Sequence, residues 1–118
     1  MFSNVQIKDG ALVAGGFYIN QIIRAAQIAM CGICDVVITS GRDGKHGEQS
    51  YHYQDRALDL RLWKIAPDDR AKVAASIRAL LPAYYDVVIE ADHFHIEADK
   101  TKEMALKGAS WNLPKTNF

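Results

Sequence analysis

The chain is predicted to be a single α+β domain, a small and mainly antiparallel sheet with helices packed on one face. Three observations predict it. At 118 residues and 49% hydrophobic composition, the chain has enough apolar material for one modest core and too little length for two. Two stretches carry apolar residues at helical spacing. Among the strand-like segments, residues 84–89 and 93–97 are joined as a hairpin, which makes the sheet largely antiparallel.

The first sixteen residues have scattered apolar positions and Gly10, Gly15 and Gly16, which favour turns or a short lead-in element. Over residues 17–30, Ile19, Ile22, Ile23, Ala26 and Met30 share a face at spacings of three and four, with Arg24 and Gln27 opposite. The same polar interruptions make this an amphipathic helix and exclude a membrane span. Residues 35–40, DVVITS, are short and β-branched and read as a buried strand. Residues 41–51, GRDGKHGEQSY, have three glycines and no periodicity, so they form a long loop of the kind that carries function.

Residues 56–63 alternate. Arg56, Leu58, Leu60 and Leu62 take one side of a strand, and Ala57, Asp59, Arg61 and Trp63 take the other. Pro67, Asp68 and Asp69 start a second helix, whose stripe of Val73, Ile77, Leu80 and Leu81 is stopped by Pro82. Residues 84–89 and 93–97 read as two strands paired in a hairpin, and residues 102–107 as a short helix. No repeat or linker divides the chain.

Fourteen basic and fourteen acidic side chains leave no net attraction to nucleic acid or to an anionic membrane. The amino terminus lacks the basic and apolar regions of a secretory signal, so cytoplasmic synthesis of a soluble, monomeric protein is expected. Cys31 and Cys34 form a C-x-x-C. A redox motif would follow a strand at a helix start, and a structural zinc site would need a second cysteine pair. This motif closes a helix, so two buried structural thiols are expected.

Three of the four histidines sit in two clusters, Ser50-Tyr51-His52-Tyr53-Gln54-Asp55-Arg56-Ala57-Leu58-Asp59 and Asp92-His93-Phe94-His95. A catalytic zinc takes about three imidazole or carboxylate ligands and leaves one position open. His52, Asp59 and one histidine of the H-x-H can supply that set. Side chains alternate along a strand, so His93 and His95 share a face while Phe94 and Ile96 turn to the core. His46 has no such partner and reads as a loop residue.

These residues resemble the M15 peptidases and their relatives of the hedgehog/D,D-peptidase fold, a group that includes D,D- and L,D-carboxypeptidases, L-alanyl-D-glutamate endopeptidases, phage endolysins and the hedgehog signalling domain. The likeness lies in S-x-H-x-x-x-x-x-x-D, from Ser50 to Asp59, and in D-x-x-H with H-x-H, from Asp92 to His95. The H-Y-x-x-R-A-x-D core, from His52 to Asp59, resembles the hedgehog version of the first motif. The similarity spans roughly residues 36–97.

The resemblance implies one Zn2+ held by His52, Asp59 and His95, with Asp92 as general base; Glu90, in the hairpin link, is the reserve candidate for that role. It implies that His93 lies beside the metal to stabilise the transition state, and that Ser50 and Arg42 face the substrate. Thr39-Ser40-Gly41-Arg42 is one residue shorter than the T-S-G-x-R it resembles. Asp55 stands where relatives have glycine, and it is expected to take a left-handed conformation, which aspartate tolerates better than most residues.

The implied activity is hydrolysis of an amide in peptidoglycan stem peptides, without nucleic-acid or membrane partners. The alternatives are a noncatalytic zinc-binding recognition module and a phage structural component on the same fold. A phage-encoded enzyme released at lysis, or carried on the virion, is the expected setting, with cytoplasmic turnover as the other.

Overall fold

A computed structural model describes residues 2–43 and 50–111. His46 and the middle of the predicted loop lie outside the described residues, as do residues 112–118.

The chain runs β1 (Val5–Ile7), α1 (Phe17–Ala29), β2 (Val36–Ser40), a short 3-10 turn (Tyr51–Gln54), β3 (Ala57–Arg61), a second 3-10 turn (Pro67–Asp69), α2 (Arg70–Ala79), β4 (Tyr85–Ile89), β5 (His93–Ala98) and α3 (Lys100–Trp111). The five strands form one sheet in the order β1-β2-β3-β5-β4. β2–β3, β3–β5 and β5–β4 are antiparallel, whereas β1 runs parallel to β2. The sheet is therefore mixed. Parallel pairing follows from the connection: β1 and β2 are joined by a whole helix, and a tight turn between them would have reversed the chain.

One face of the sheet is the core. Val36 and Ile38 of β2, Leu58 and Leu60 of β3, Val87 of β4, and Phe94, Ile96 and Ala98 of β5 are buried against Ile19, Ile22, Ala25 and Ala26 of α1 and Val73, Ala74 and Ile77 of α2. Each large apolar side chain removed from water in this way contributes about 1.5–3 kcal/mol. β5 shows the alternation most plainly, with buried Phe94, Ile96 and Ala98 between half-buried His93, His95 and Glu97.

The periodicities locate the helices, with local corrections. Ile23 lies at the edge of the apolar face of α1, and Ala25 takes the central place instead. Leu80 follows the last turn of α2 and is exposed, leaving Leu81 to close the core. Cys31 is exposed and Cys34 only half-buried, both as free thiols. Burial of the pair is thus not observed, because the chain leaves α1 at Met30 and passes through Gly32 with φ of 78° on its way to β2. The helix predicted at 102–107 is the middle of the longer α3. Its start is capped by Asp99, whose side chain accepts from the Lys102 amide at 3.0 Å.

Arg56 fastens the far end of the sheet. Its guanidinium donates to the Ala98 carbonyl (2.9 Å) and to Glu103 of α3 (2.8 Å), and lies over the Tyr18 ring of α1 at 4.0 Å. Tyr18 donates its hydroxyl proton to the same Glu103 carboxylate at 2.7 Å.

Candidate metal centre

The second face of the sheet carries the chemistry. Asp59 of β3 lies directly opposite His95 of β5 in the antiparallel register, and Arg61 lies opposite His93. Directly opposed residues have Cβ atoms about 4.5–5.5 Å apart, within reach of short side chains. His95 Nδ1 accordingly stands 2.9 Å from Asp59 Oδ1.

His52 arrives from the 3-10 turn that precedes β3. Ser50 caps that turn, its hydroxyl accepting from the His52 amide at 3.2 Å. Asp55 ends it with φ of 53° and ψ of 41°, so the left-handed conformation expected there is the one observed. That reversal folds the turn back over β3, with the Arg56 amide bonded to the Tyr51 carbonyl at 3.0 Å. The buried imidazole of His52 is thereby set above Asp59. Its Nε2 is 3.4 Å from Asp59 Oδ1 and 3.3 Å from His95 Nδ1.

Three donors from His52, Asp59 and His95 thus converge, separated by 2.9, 3.3 and 3.4 Å. Tetrahedral zinc with bonds of about 2.0–2.1 Å places its ligand atoms roughly 3.3 Å apart. The donor set and its spacing fit that ion.

The outer atoms of both rings are braced in the way metal-bound histidines require. His52 Nδ1 is 2.9 Å from the Gly41 carbonyl, which can only accept, so Nδ1 carries the proton and Nε2 is free to donate its lone pair to a metal. His95 Nε2 is 2.7 Å from a Glu97 oxygen, which leaves Nδ1 for the centre. Burial pushes the Asp59 carboxyl up, but the hydrogen bonds from His52 and His95 outweigh it and hold the group well below the usual carboxylate range. The hydrogen bond to Asp59 raises His95 to about 9, burial opposing and Glu97 adding to it. A metal held between these donors would have to displace the proton that this pairing favours on His95.

The Gly41 carbonyl is itself held in place. Asp43 accepts from the Gly41 and Leu12 amides at 2.8 Å each, and the Arg42 amide donates to the Leu12 carbonyl at 2.7 Å. A Cβ on Gly41 would lie 2.2 Å from that Leu12 oxygen, so only glycine allows the approach.

The remaining predicted site residues are distributed around the centre. His93 faces it, with Nε2 3.7 Å from Asp59 Oδ1, and its Nδ1 is 2.6 Å from the exposed Asp92 carboxylate. Asp92 therefore meets His93 and not the three donors. Glu90 is exposed in the hairpin link. Arg42 pairs with Asp55 at 3.4 Å and reaches the Tyr53 carbonyl at 3.5 Å, fastening the loop to the 3-10 turn.

Sequence reasoning missed Glu97, Gly41 and Asp43. The Glu97 signal was present, since residues 93, 95 and 97 share a strand face. Gly41 and Asp43 act through tertiary contacts with residue 12, which no local pattern announces.

A scan against protein-family models matches none, and a search of curated proteins finds no match.

Proposed function

We propose that the protein is a zinc hydrolase that cleaves an amide bond in peptidoglycan stem peptides, of the M15 type and on a hedgehog/D,D-peptidase-like fold. The observation that carries this reading is the convergence of His52 Nε2, Asp59 Oδ1 and His95 Nδ1, each imidazole braced from behind by an acceptor. Two histidines and a carboxylate leave a fourth position for water, which is the donor set of a catalytic site. A zinc ion bound there supplies a water with its pKa near about 7 and a Lewis acid for the amide carbonyl.

The chain's own groups handle the proton and the substrate. Asp92 and His93 form a carboxylate–imidazole pair at the rim, with the His93 ring turned toward Asp59 and Asp92 behind it. In this reading the Asp92 carboxylate is the general base, and His93 beside it steadies charge that develops on the substrate. Glu90 is the reserve base. Ser50 and Arg42 flank the His52 side, where each also holds the 3-10 turn in shape.

The test joins metal content to product mass. Purified protein is assayed for zinc and incubated with cell-wall muropeptides, and the digest is weighed as intact fragments. Zinc with cleavage supports the hydrolase. Zinc without cleavage leaves a noncatalytic recognition module, and the absence of both leaves a structural component. Asp92→Ala is expected to keep its zinc and lose about 10²–10⁴-fold in turnover. An unchanged rate in that variant rules Asp92 out as the base.

A further inference from the structure

Arg61 is the charged group on the site face that the centre does not use. It lies two residues beyond Asp59 on β3, opposite His93 of β5. Its guanidinium is stacked over the Trp63 ring at 4.0 Å. Its Nε is shielded from solvent and has no hydrogen-bond partner among the described residues. A shielded donor left unpaired costs about 1–3 kcal/mol, and no carboxylate among the described residues pairs with the guanidinium to offset it.

The surroundings show where an acceptor would come from. Arg61 and Trp63 line two small clefts of about 100 and 210 Å³, room for a carboxylate group but less than a whole small-molecule site takes. One continues past Thr39 and Lys8 to Asp92 and His93, and the other past Val37 to Lys64 and Asp35. The two acids in these clefts are engaged already, Asp35 by the Gln6 amide at 2.8 Å and Asp92 by His93 at 2.6 Å. Neither neutralises Arg61. A planar guanidinium fixed on an indole face presents a fork that matches a carboxylate.

We propose that Arg61, seated on Trp63, binds a carboxylate of the peptide substrate and so sets which peptides reach the metal centre. This assigns the carboxylate-recognising role to Arg61, since Arg42 is already paired with Asp55. The substrate class rests on the hydrolase reading above, whereas the carboxylate site itself does not.

The experiment compares a synthetic stem tetrapeptide bearing free carboxylates with the same peptide amidated at each of them. Binding to the zinc-loaded protein is followed through the Trp63 indole N–H resonance. The wild type is expected to bind the free-carboxylate peptide at least tenfold more tightly than the amidated one. In Arg61→Gln that ratio is expected to fall within twofold of one. Arg61→Lys, which keeps the charge without the fork and guards against a folding defect in the first variant, is expected to give an intermediate ratio. No carboxylate preference in the wild type, or a preference unchanged in both variants, overturns the proposal. Cleavage is read separately by product mass. An Arg61-dependent preference without any product removes the hydrolase reading and leaves the carboxylate site standing.

Discussion

Glu97 illustrates how much a single side chain behind a proposed metal ligand would do. Its carboxylate fixes the orientation and proton position of His95, and braces of this kind are typically worth 10–100-fold in metal affinity. Glu97→Ala is therefore expected to weaken zinc binding by about that factor, and Glu97→Gln, which keeps an acceptor without the charge, by less. Competition against a fluorescent chelator measures both. Equal affinity in wild type and Glu97→Ala would show that His95 needs no brace. Much at this scale was legible beforehand: the parity of H-x-H put both imidazoles on one face, and the alternation in β3 put Asp59 there with them. The Gly41 carbonyl was not legible, because its position depends on an approach to Leu12 across 29 residues of chain.

At the scale of elements, α3 is held to the body by Arg56 and Glu103. The hydrogen bond from Arg56 lowers the Glu103 carboxyl below its ordinary range, Tyr18 adding to this and burial opposing it. A carboxyl depressed in the folded state contributes stability that is present above its unfolded value, about 4.3, and is lost as the pH falls through the lower folded value. Glu103→Gln is accordingly expected to cost about 1–3 kcal/mol at neutral pH. The cost should begin to shrink as the pH drops below about 4, where the unfolded carboxyl takes up its proton, and disappear at the lower pH where the native carboxyl is neutral too. Urea unfolding at a series of pH values checks this, and a pH-independent difference would discard the ion pair as its source.

Elements differed in how well they could be foreseen. α1, α2 and the β4–β5 hairpin follow from periodicity and turn residues. β1, only three residues long, has no pattern of its own and exists because β2 offers an edge to pair with. The 3-10 turn bearing His52 follows the glycine-rich loop without a pattern of its own, and the hydroxyl of Ser50 and the left-handed Asp55 define it better than any propensity does.

For the whole molecule, the candidate centre joins the 3-10 turn to two interior strands, so a metal bound there would be linked to folding. Zinc at a thousandfold excess over its Kd is expected to stabilise the fold by about 4 kcal/mol. Asp59→Ala should abolish that increment. Thermal unfolding with zinc and with a chelator measures it, and a melting temperature indifferent to zinc would argue against the centre. The general architecture, helices behind a sheet whose other face is free for chemistry, was readable from the sequence. Its mixed strand order was not, since the contacts between β1 and β2 are set by the packing of α1.

The strict alternation along β3 and β5 restricts how this domain can vary in evolution. Losing the single codon between Leu58 and Leu60 would remove Asp59 and swap the inside and outside of everything downstream in the strand, sending the Arg61 guanidinium into oil and leucines into water. Related domains should therefore differ freely in loop length while keeping the spacing from residue 58 to 61 and from 93 to 97 invariant.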